Sequence, residues 1–161
     1  MGLIHKLGVS VYYPQQVYKI FERYPLDIVQ LPLSVYDQRF KISGCLEFLS
    51  KLHVEIHVRS VFLQGLLLMD LGRIPSYFNP VLDKIKNYYY CLDELKISKC
   101  QAAFNFIKSC DGIDYAIVGV QTAGQLMQLY EAWNSREYIP VAYDDFAFRQ
   151  EEYCLPSKWV I

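Results

Sequence analysis

The sequence alternates between short apolar runs and segments with helical spacing of apolar residues, and this alternation constrains the fold more than any other feature. Apolar runs begin at Ile4, Leu26, Val54 and Tyr115, and each precedes a helix-like segment. Short runs rich in β-branched residues predict strands. Strands that alternate with helices predict parallel pairing, because a parallel neighbour needs a long crossover connection. We therefore expect an α/β fold whose parallel sheet is covered by helices on both faces.

The boundaries of these elements can be predicted from the same pattern. The predicted strands span residues 4–11, 26–31, 54–63 and 115–120, and a polar loop around Asp37 and Gln38 follows the second strand. Predicted helices span residues 14–24, 45–52, 81–92, 98–109 and 122–133. Residues 134–161 show mixed charge and little periodicity. We expect residues 1–133 to form one unit and residues 134–161 to form a tail that docks on it.

Composition excludes several classes of protein. The net charge of −1 lacks the positive excess of nucleic-acid-binding proteins. No apolar stretch approaches the ~20 residues that cross a bilayer, and no signal-like region starts the chain, so we expect no membrane partner and a cytoplasmic location. The five cysteines are widely spaced, and the three histidines lack the spacing of metal ligands. We expect reduced, mostly buried thiols and no metal site.

Polar residues end three of the predicted strands. Ser10 ends the first strand, Gln30 lies in the second and Arg59 in the third. Ligands of parallel α/β folds bind where the carboxyl ends of strands converge. Ser10 and Gln30 could present a hydroxyl and an amide to a flat polar ligand, or they could only satisfy loop amides. Arg59 needs either an anionic ligand, water or a partner carboxylate, because a buried charge is costly.

The fourth strand leads into a helix that begins near Thr122. Gly119, Gln121 and Thr122 could bind a phosphate through backbone N–H groups and the hydroxyl. The alternative is an ordinary threonine cap. Neither a Walker loop nor a G-x-G-x-x-G motif is present in the sequence.

Five strings of residues resemble, in chain order, the C-terminal half of the aldo/keto reductases. They are LGVSVYYPQQV, LDIVQLPLSVYDQRF, VEIHVRSVFLQGLLLM, YAIVGVQTAGQL and LPSKW. The resemblance covers nearly the whole chain. It implies a (β/α)8 TIM barrel, of which these four strand–helix units would be the last four. It also implies reduction of a carbonyl substrate with NADP(H), with NAD(H) as the alternative, when the barrel is complete.

The resemblance further implies a cofactor site. Ser10 and Gln30 match residues that bind the nicotinamide carboxamide, and Arg59 stands where many members have a tyrosine stacked on the nicotinamide ring. The remaining matches concern the pyrophosphate loop, with Ser60, Leu63 and Gly65, and the adenosine ribose with its phosphate, with Gln121, Thr122 and Gln125.

Three positions depart from the common family pattern. Val11 replaces an asparagine, Gln121 an arginine or lysine, and Leu129 an asparagine near the adenine. The missing cation weakens the case for NADP(H) over NAD(H).

The resemblance also implies that the family's catalytic Asp, Tyr, Lys and His belong to the first four strands, so no catalytic residue is predicted in this chain. A full barrel takes about 250 residues. An incomplete barrel leaves two unpaired sheet edges. We expect them to be covered by a separately encoded N-terminal half, by a second copy of the chain or by the tail, unless the chain is a truncated fragment. A non-catalytic half-barrel for binding or assembly, and a phosphate-binding module of another barrel enzyme, are the alternatives in function.

Overall fold

A computed structural model of the chain describes residues 2–135 and 139–160. Its strands form one parallel sheet in chain order. They are β1 (Gly8–Ser10), β2 (Ile28–Pro32), β3 (Glu55–Arg59) and β4 (Tyr115–Ala116). The predicted α/β class and the four parallel strands are confirmed. That these strands are one half of a closed barrel stays a prediction.

Helices connect the strands. They are α1 (Pro14–Phe21), α2 (Arg39–Ile42), α3 (Cys45–Lys51), α4 (Leu82–Glu94), α5 (Lys99–Lys108), α6 (Ala123–Asn134) and α7 (Glu151–Cys154). Pro14 opens α1, where its missing N–H costs nothing. The short helix α2 falls in the predicted polar loop, and its four residues are too few for a periodic pattern to reveal. No helix in the two described ranges has both the length and the apolar character that crossing a membrane requires.

Both edge strands are shorter than predicted. Pairing of β4 with β3 covers only Tyr115 and Ala116, and one further bond runs from Ile117 N to Val58 O at 2.7 Å. At the other edge, the apolar residues Ile4 and Leu7 precede β1 and are 76% and 58% exposed. The sequence shows strand-like residues at these positions, but an edge strand extends only as far as its neighbour supplies hydrogen-bond partners.

The sheet has one covered and one uncovered face. Val29, Leu31, Ile56 and Val58 are fully buried, because they point towards the helices. The alternating positions point to the opposite face, and one row of them is in register across all four strands: Ser10, Gln30, His57 and Tyr115. These side chains range from half-buried to exposed. The expected cover on both faces is therefore wrong for the described residues.

The segment 139–160 packs against the loop that follows β2. Phe148 stacks on Tyr36 with 4.4 Å between the ring centroids, and Phe148 N donates to Tyr36 O at 2.8 Å. Gln38 Nε2 donates to Tyr143 O at 2.7 Å and to Val35 O at 2.8 Å. This buried amide thus satisfies carbonyl groups on both sides of the contact. The division into residues 1–133 and 134–161 stays a prediction.

Ion pairs surround the same contact. Arg39 donates twice to the buried Asp37 carboxylate, with Nε at 2.7 Å from Oδ1 and Nη2 at 2.8 Å from Oδ2. Glu151 lies 3.9 Å from Arg39 and also pairs with Lys158. The hydrogen bond from Lys158 lowers the pKa of Glu151 below its ordinary value of 4.5, more than partial burial raises it. Charges of the tail therefore complement those of the loop after β2.

Replacing Phe148 by alanine tests the contact between the tail and the loop after β2. Phe148→Ala removes a ring that is 4% exposed and stacked on Tyr36. We expect a loss of about 3–5 kcal/mol in the free energy of unfolding, because a buried cavity replaces the ring. Urea titration measures this loss. Tyr90→Ala, at a ring that is 67% exposed, is the control and should cost about 0.5 kcal/mol or less.

Glu151→Gln tests the ion pairs of the tail. A carboxylate with a lowered pKa stabilises the fold above its unfolded-state pKa and loses that contribution as the pH falls through the folded-state pKa. The free energy of unfolding falls between about pH 5 and pH 3 as Glu151 is protonated. We expect Glu151→Gln to make this fall smaller by ~0.5 kcal/mol or less, since Glu151 is partly exposed and screened. Urea titrations over this pH range measure the slope. An unchanged slope, or an equal change in the neighbouring exposed variant Glu152→Gln, contradicts the assignment.

Candidate functional site

A groove of about 1230 Å³ lies beside the carboxyl ends of β3 and β4. Its walls come from the segment that follows β3, the N-terminus of α5, the segment that follows β4, and one side of α6. Its polar and glycine residues include Ser60, Gln64, Gly65, Asp70, Lys99, Gln101, Gln121, Gln125, Gln128 and Glu131. The volume of the groove exceeds the usual range for ligand pockets, which is about 300–1,000 Å³. The groove can therefore hold an extended ligand.

The nine residues that the resemblance selects divide into two places. Four of them line the groove: Ser60, Gly65, Gln121 and Gln125. The others lie at strand ends, in the middle of a strand, in the core or at a helix cap: Ser10 and Arg59, Gln30, Leu63, and Thr122, respectively. The structure thus places fewer than half of the nine on the groove wall.

Ser10 and Gln30 contact each other on the uncovered face. They are in register on β1 and β2, and Ser10 Oγ donates to Gln30 Oε1 at 3.3 Å. Neighbouring parallel strands hold the two side chains on the same face at the same height. A hydroxyl and a primary amide together offer both donors and acceptors, which suits a planar amide ligand.

The guanidinium group of Arg59 contacts an aromatic ring and a backbone carbonyl group of the chain. Its guanidinium lies 4.4 Å from the centroid of the Tyr12 ring, and Nη2 donates to Val11 O at 3.1 Å. Nη1 lies 3.5 Å from Ser60 Oγ. No carboxylate among the described residues forms an ion pair with Arg59. The Arg59 side chain therefore extends from β3 past the end of β2 to the residues that follow β1.

The segment after β3 has an unusual backbone. Ser60, Leu63 and Gln64 have φ values of 59°, 44° and 53°, and Gly65 has a φ of 86°. Non-glycine residues pay about 1–2 kcal/mol for this left-handed region. Burial compensates for the strain, since Leu63 is fully buried and Phe62 packs edge-to-face on Phe104 at 5.3 Å. Leu63 N donates to Ser60 O at 2.8 Å and Leu63 O accepts from Leu66 N at 3.1 Å, so this buried residue holds the turn together rather than facing the groove.

The N-terminus of α6 is capped by its own side chains. Thr122 Oγ1 accepts from Gln125 N at 3.1 Å, and Gln125 Oε1 accepts from Gln121 N at 2.8 Å. Thr122 therefore forms the ordinary helix cap that the sequence analysis gave as the alternative to phosphate binding. Such a cap does not exclude a ligand, because the Gln125 amide still carries a donor group that borders the groove.

Lys99 is a groove residue that the sequence reasoning missed. Its ammonium donates to Met69 O at 2.6 Å and lies 3.9 Å from the centroid of the Tyr89 ring. Partial burial lowers the pKa of Lys99. A signal was present, since Ser98 caps α5 by accepting from Gln101 N at 3.2 Å and marks a helix N-terminus at this end of the sheet.

The groove holds one cysteine but no evident nucleophile. Burial raises the pKa of Cys100 to about 11, so the thiol stays protonated at neutral pH. Within the described ranges, no group of three or more His, Cys, Asp or Glu side chains could hold a metal ion. The arrangement is therefore one of polar binding groups rather than of a reactive side chain.

A charged cluster occupies the uncovered face beside Gln30, with which His57 is in register. His57 Nε2 lies 2.6 Å from Glu55 Oε1, and Lys6 also pairs with Glu55. The hydrogen bond from Lys6 lowers the pKa of Glu55, and the same bond raises the pKa of Lys6. The His57 ring packs edge-to-face on Tyr115 at 4.9 Å. A unit that covers this face would therefore meet charges that are already paired.

Gln125→Ala tests the cap that shapes the groove wall at α6. The variant removes the acceptor of Gln121 N. We expect faster amide hydrogen exchange at Gln121 and a loss of about 0.5–1.5 kcal/mol in local stability, the usual worth of one hydrogen bond. Gln128→Ala makes the same substitution on the same helix and should leave Gln121 unchanged. Equal effects of the two variants would contradict the role of this cap.

Solved structures share the fold over most of the chain. The aldo-keto reductase AKR11C1 from Bacillus halodurans, in its apo form, superimposes with a TM-score of 0.69 at 18% sequence identity, over 86% of this chain and 47% of that chain. Its holo form gives a TM-score of 0.66 at 18% identity, over 86% and 46%. The glycerol dehydrogenase AKR11B4 from Gluconobacter oxydans gives 0.53 at 16% identity, over 88% and 54%. The chain thus spans about half the length of these structures.

Sequence comparison assigns the family. No curated protein sequence matches the chain significantly. The sequence profile described as "Aldo/keto reductase family" matches residues 1–140, which include all four strands and the groove. This chain belongs to the aldo/keto reductase family.

Proposed function

We propose that the chain is the nicotinamide-cofactor-binding half of an aldo/keto reductase, which reduces a carbonyl substrate with NADP(H), or with NAD(H), once a second half completes the barrel. The observation that carries the proposal is the convergence of the family-matched polar residues at one end of the sheet, next to a groove of about 1230 Å³. A dinucleotide is an extended ligand that needs a groove of this size beside a site for its planar amide ring.

The proposed contacts follow from where each group lies. Ser10 and Gln30 bind the nicotinamide carboxamide, and Arg59 lies beside the nicotinamide ring. The pyrophosphate and the adenosine ribose follow the groove past the other matched residues, which are Ser60, Gly65, Gln121, Thr122 and Gln125, while the buried Leu63 holds the turn between Ser60 and Gly65. The order along the groove is supported by chain topology, since consecutive parallel strands place their ends side by side.

Completion of the barrel is part of the proposal. Hydride transfer to a carbonyl needs a proton donor beside the carbonyl oxygen, and the residues of the proposed site include no such group. The sheet has two edge strands and one uncovered face. We propose that a second four-stranded unit covers them, either a separately encoded N-terminal half or a second copy of this chain. A cytoplasmic location is consistent with the reduced thiols.

Titration with NADPH and NADH tests the binding function. Nicotinamide fluorescence, measured with the chain alone and with a first half of a reductase barrel added, reports the dissociation constants. We expect Gln30→Ala to weaken binding about fivefold to tenfold, the worth of one hydrogen bond. Gln15→Ala, at an exposed position on α1, should bind like the wild type. If neither cofactor binds in either mixture, the proposal is wrong.

A non-catalytic assembly protein is the second candidate. The observation that favours it is the exposed apolar surface of α6, where Leu126, Met127 and Tyr130 lie within about one helical turn and are 56%, 58% and 65% exposed. Apolar side chains grouped in this way are typical of an interface.

Analytical ultracentrifugation distinguishes the two functions. The assembly function predicts a stable dimer that is disrupted by Tyr130→Ser and that reduces no carbonyl substrate. Measurable reduction by such a dimer would contradict the assembly function and support the reductase.

A further inference from the structure

The groove carries little positive charge. Its charged residues, within the part of the chain that the structure describes, are Asp70, Lys99 and Glu131. The formal sum of these charges is −1. Serine and glutamine side chains make up the rest of the polar wall, with Gln121, Gln125 and Gln128 on α6 and the turn before it.

The single cation of this set is already engaged. Lys99 Nζ donates to Met69 O at 2.6 Å and lies over the Tyr89 ring at 3.9 Å. Asp70 lies close enough to interact electrostatically with Lys99. A phosphate that approached Lys99 would therefore meet a charge that is partly neutralised by its neighbours.

Two helix N-termini border the same groove. Lys99 and Cys100 start α5, and Gln125 lies in the first turn of α6. Helix N-termini offer backbone N–H groups and a partial positive charge to an anion. The start of α5, with the partly neutralised Lys99 beside it, therefore suits the pyrophosphate, whereas at α6 the cap already bonds Gln121 N and Gln125 N.

A further phosphate lacks a comparable partner. The additional 2′-phosphate of NADP(H) carries a charge of about −1.5 to −2 at neutral pH and needs charge-assisted hydrogen bonds to offset its desolvation. At the start of α6, where the proposed function places the adenosine ribose, this phosphate would meet glutamine amides and the carboxylate of Glu131, and Gln121 N and Gln125 N are already bonded within the cap. Arg59 does not serve it, because the guanidinium is held over Tyr12 and bonded to Val11 O.

We infer that the groove selects NAD(H) over NADP(H), with the unphosphorylated ribose hydroxyls donating to a groove carboxylate. This inference rests on the proposed function, since it specifies which nicotinamide dinucleotide the proposed site binds. It departs from the NADP(H) that the family resemblance implies. The carboxylates of Asp70 and Glu131 accept hydrogen bonds from the ribose hydroxyls of NAD(H) and repel the additional phosphate of NADP(H). They therefore both strengthen the binding of NAD(H) and weaken that of NADP(H).

Parallel titrations of the full chain with NADH and NADPH test the inference. We expect NADH to bind about tenfold or more tightly than NADPH, the scale of one unsatisfied charged group. Gln121→Arg and Gln128→Arg each add a cation to the groove wall, and at least one of them should raise the ratio of NADPH affinity to NADH affinity about fivefold. Glu131→Gln should reduce the preference for NADH over NADPH. Gln15→Arg changes the net charge equally on α1, away from the groove, and should change neither affinity.

The outcomes separate the inference from the function on which it rests. Equal or tighter binding of NADPH by the wild-type chain overturns the inference and leaves the cofactor-binding function standing. Equal gains from Gln15→Arg and from both groove variants also overturn it, because they indicate a non-specific effect of net charge. Binding of neither nucleotide overturns the proposed function, and the inference with it.

Discussion

Parallel pairing of the four strands is the interaction on which the rest of the structure depends. Because all strands run in one direction, their carboxyl ends lie at one edge, and the loops that follow them lie side by side. The register places Ser10, Gln30, His57 and Tyr115 in one row, although they are far apart in sequence. The groove exists because the segment after β3, the start of α5 and the helix after β4 meet at this edge.

The same pairing leaves the sheet incomplete. One face is buried under helices, and the other presents the Lys6–Glu55 ion pair and the His57 ring bonded to Glu55. Burial of a pre-paired charge costs less than burial of a single one. The uncovered face is therefore suited to being covered, while the tail stabilises the loop after β2 through Phe148 and Gln38. This asymmetry supports a chain that works as part of a larger barrel.

Sequence patterns predicted the parts of the fold that local rules determine. The class and the order of strands and helices follow from apolar spacing, and the ordinary cap at Thr122 was one of the two alternatives that the sequence left open. The extent of β4 could not be predicted in this way, because residues 117–120 look like a strand but lack a partner beyond Val58. The alternation of strands and helices did not predict the uncovered face either, since by itself it favours a sheet with helices on both faces.

The site was predicted only in part, for similar reasons. Ser10 and Gln30 meet because strand register brings them together, and their position at strand ends is visible in the sequence. Leu63 ends the predicted strand 54–63 and matches the pyrophosphate loop by resemblance, but the whole residue is buried, and its N–H and C=O are bonded to Ser60 O and Leu66 N. The cap at Ser98 could have marked the start of α5, but the contact of Lys99 with Met69 O depends on long-range packing of α5 against the segment after β3.

Hydrogen exchange of the full chain with and without NADH tests most directly whether the strand ends hold a dinucleotide. The account predicts slower amide exchange in three regions together: the residues after β1 and β2, the segment 60–65, and the start of α6. Protection confined to α1, α7 or the tail, or no protection at saturating NADH, would contradict it.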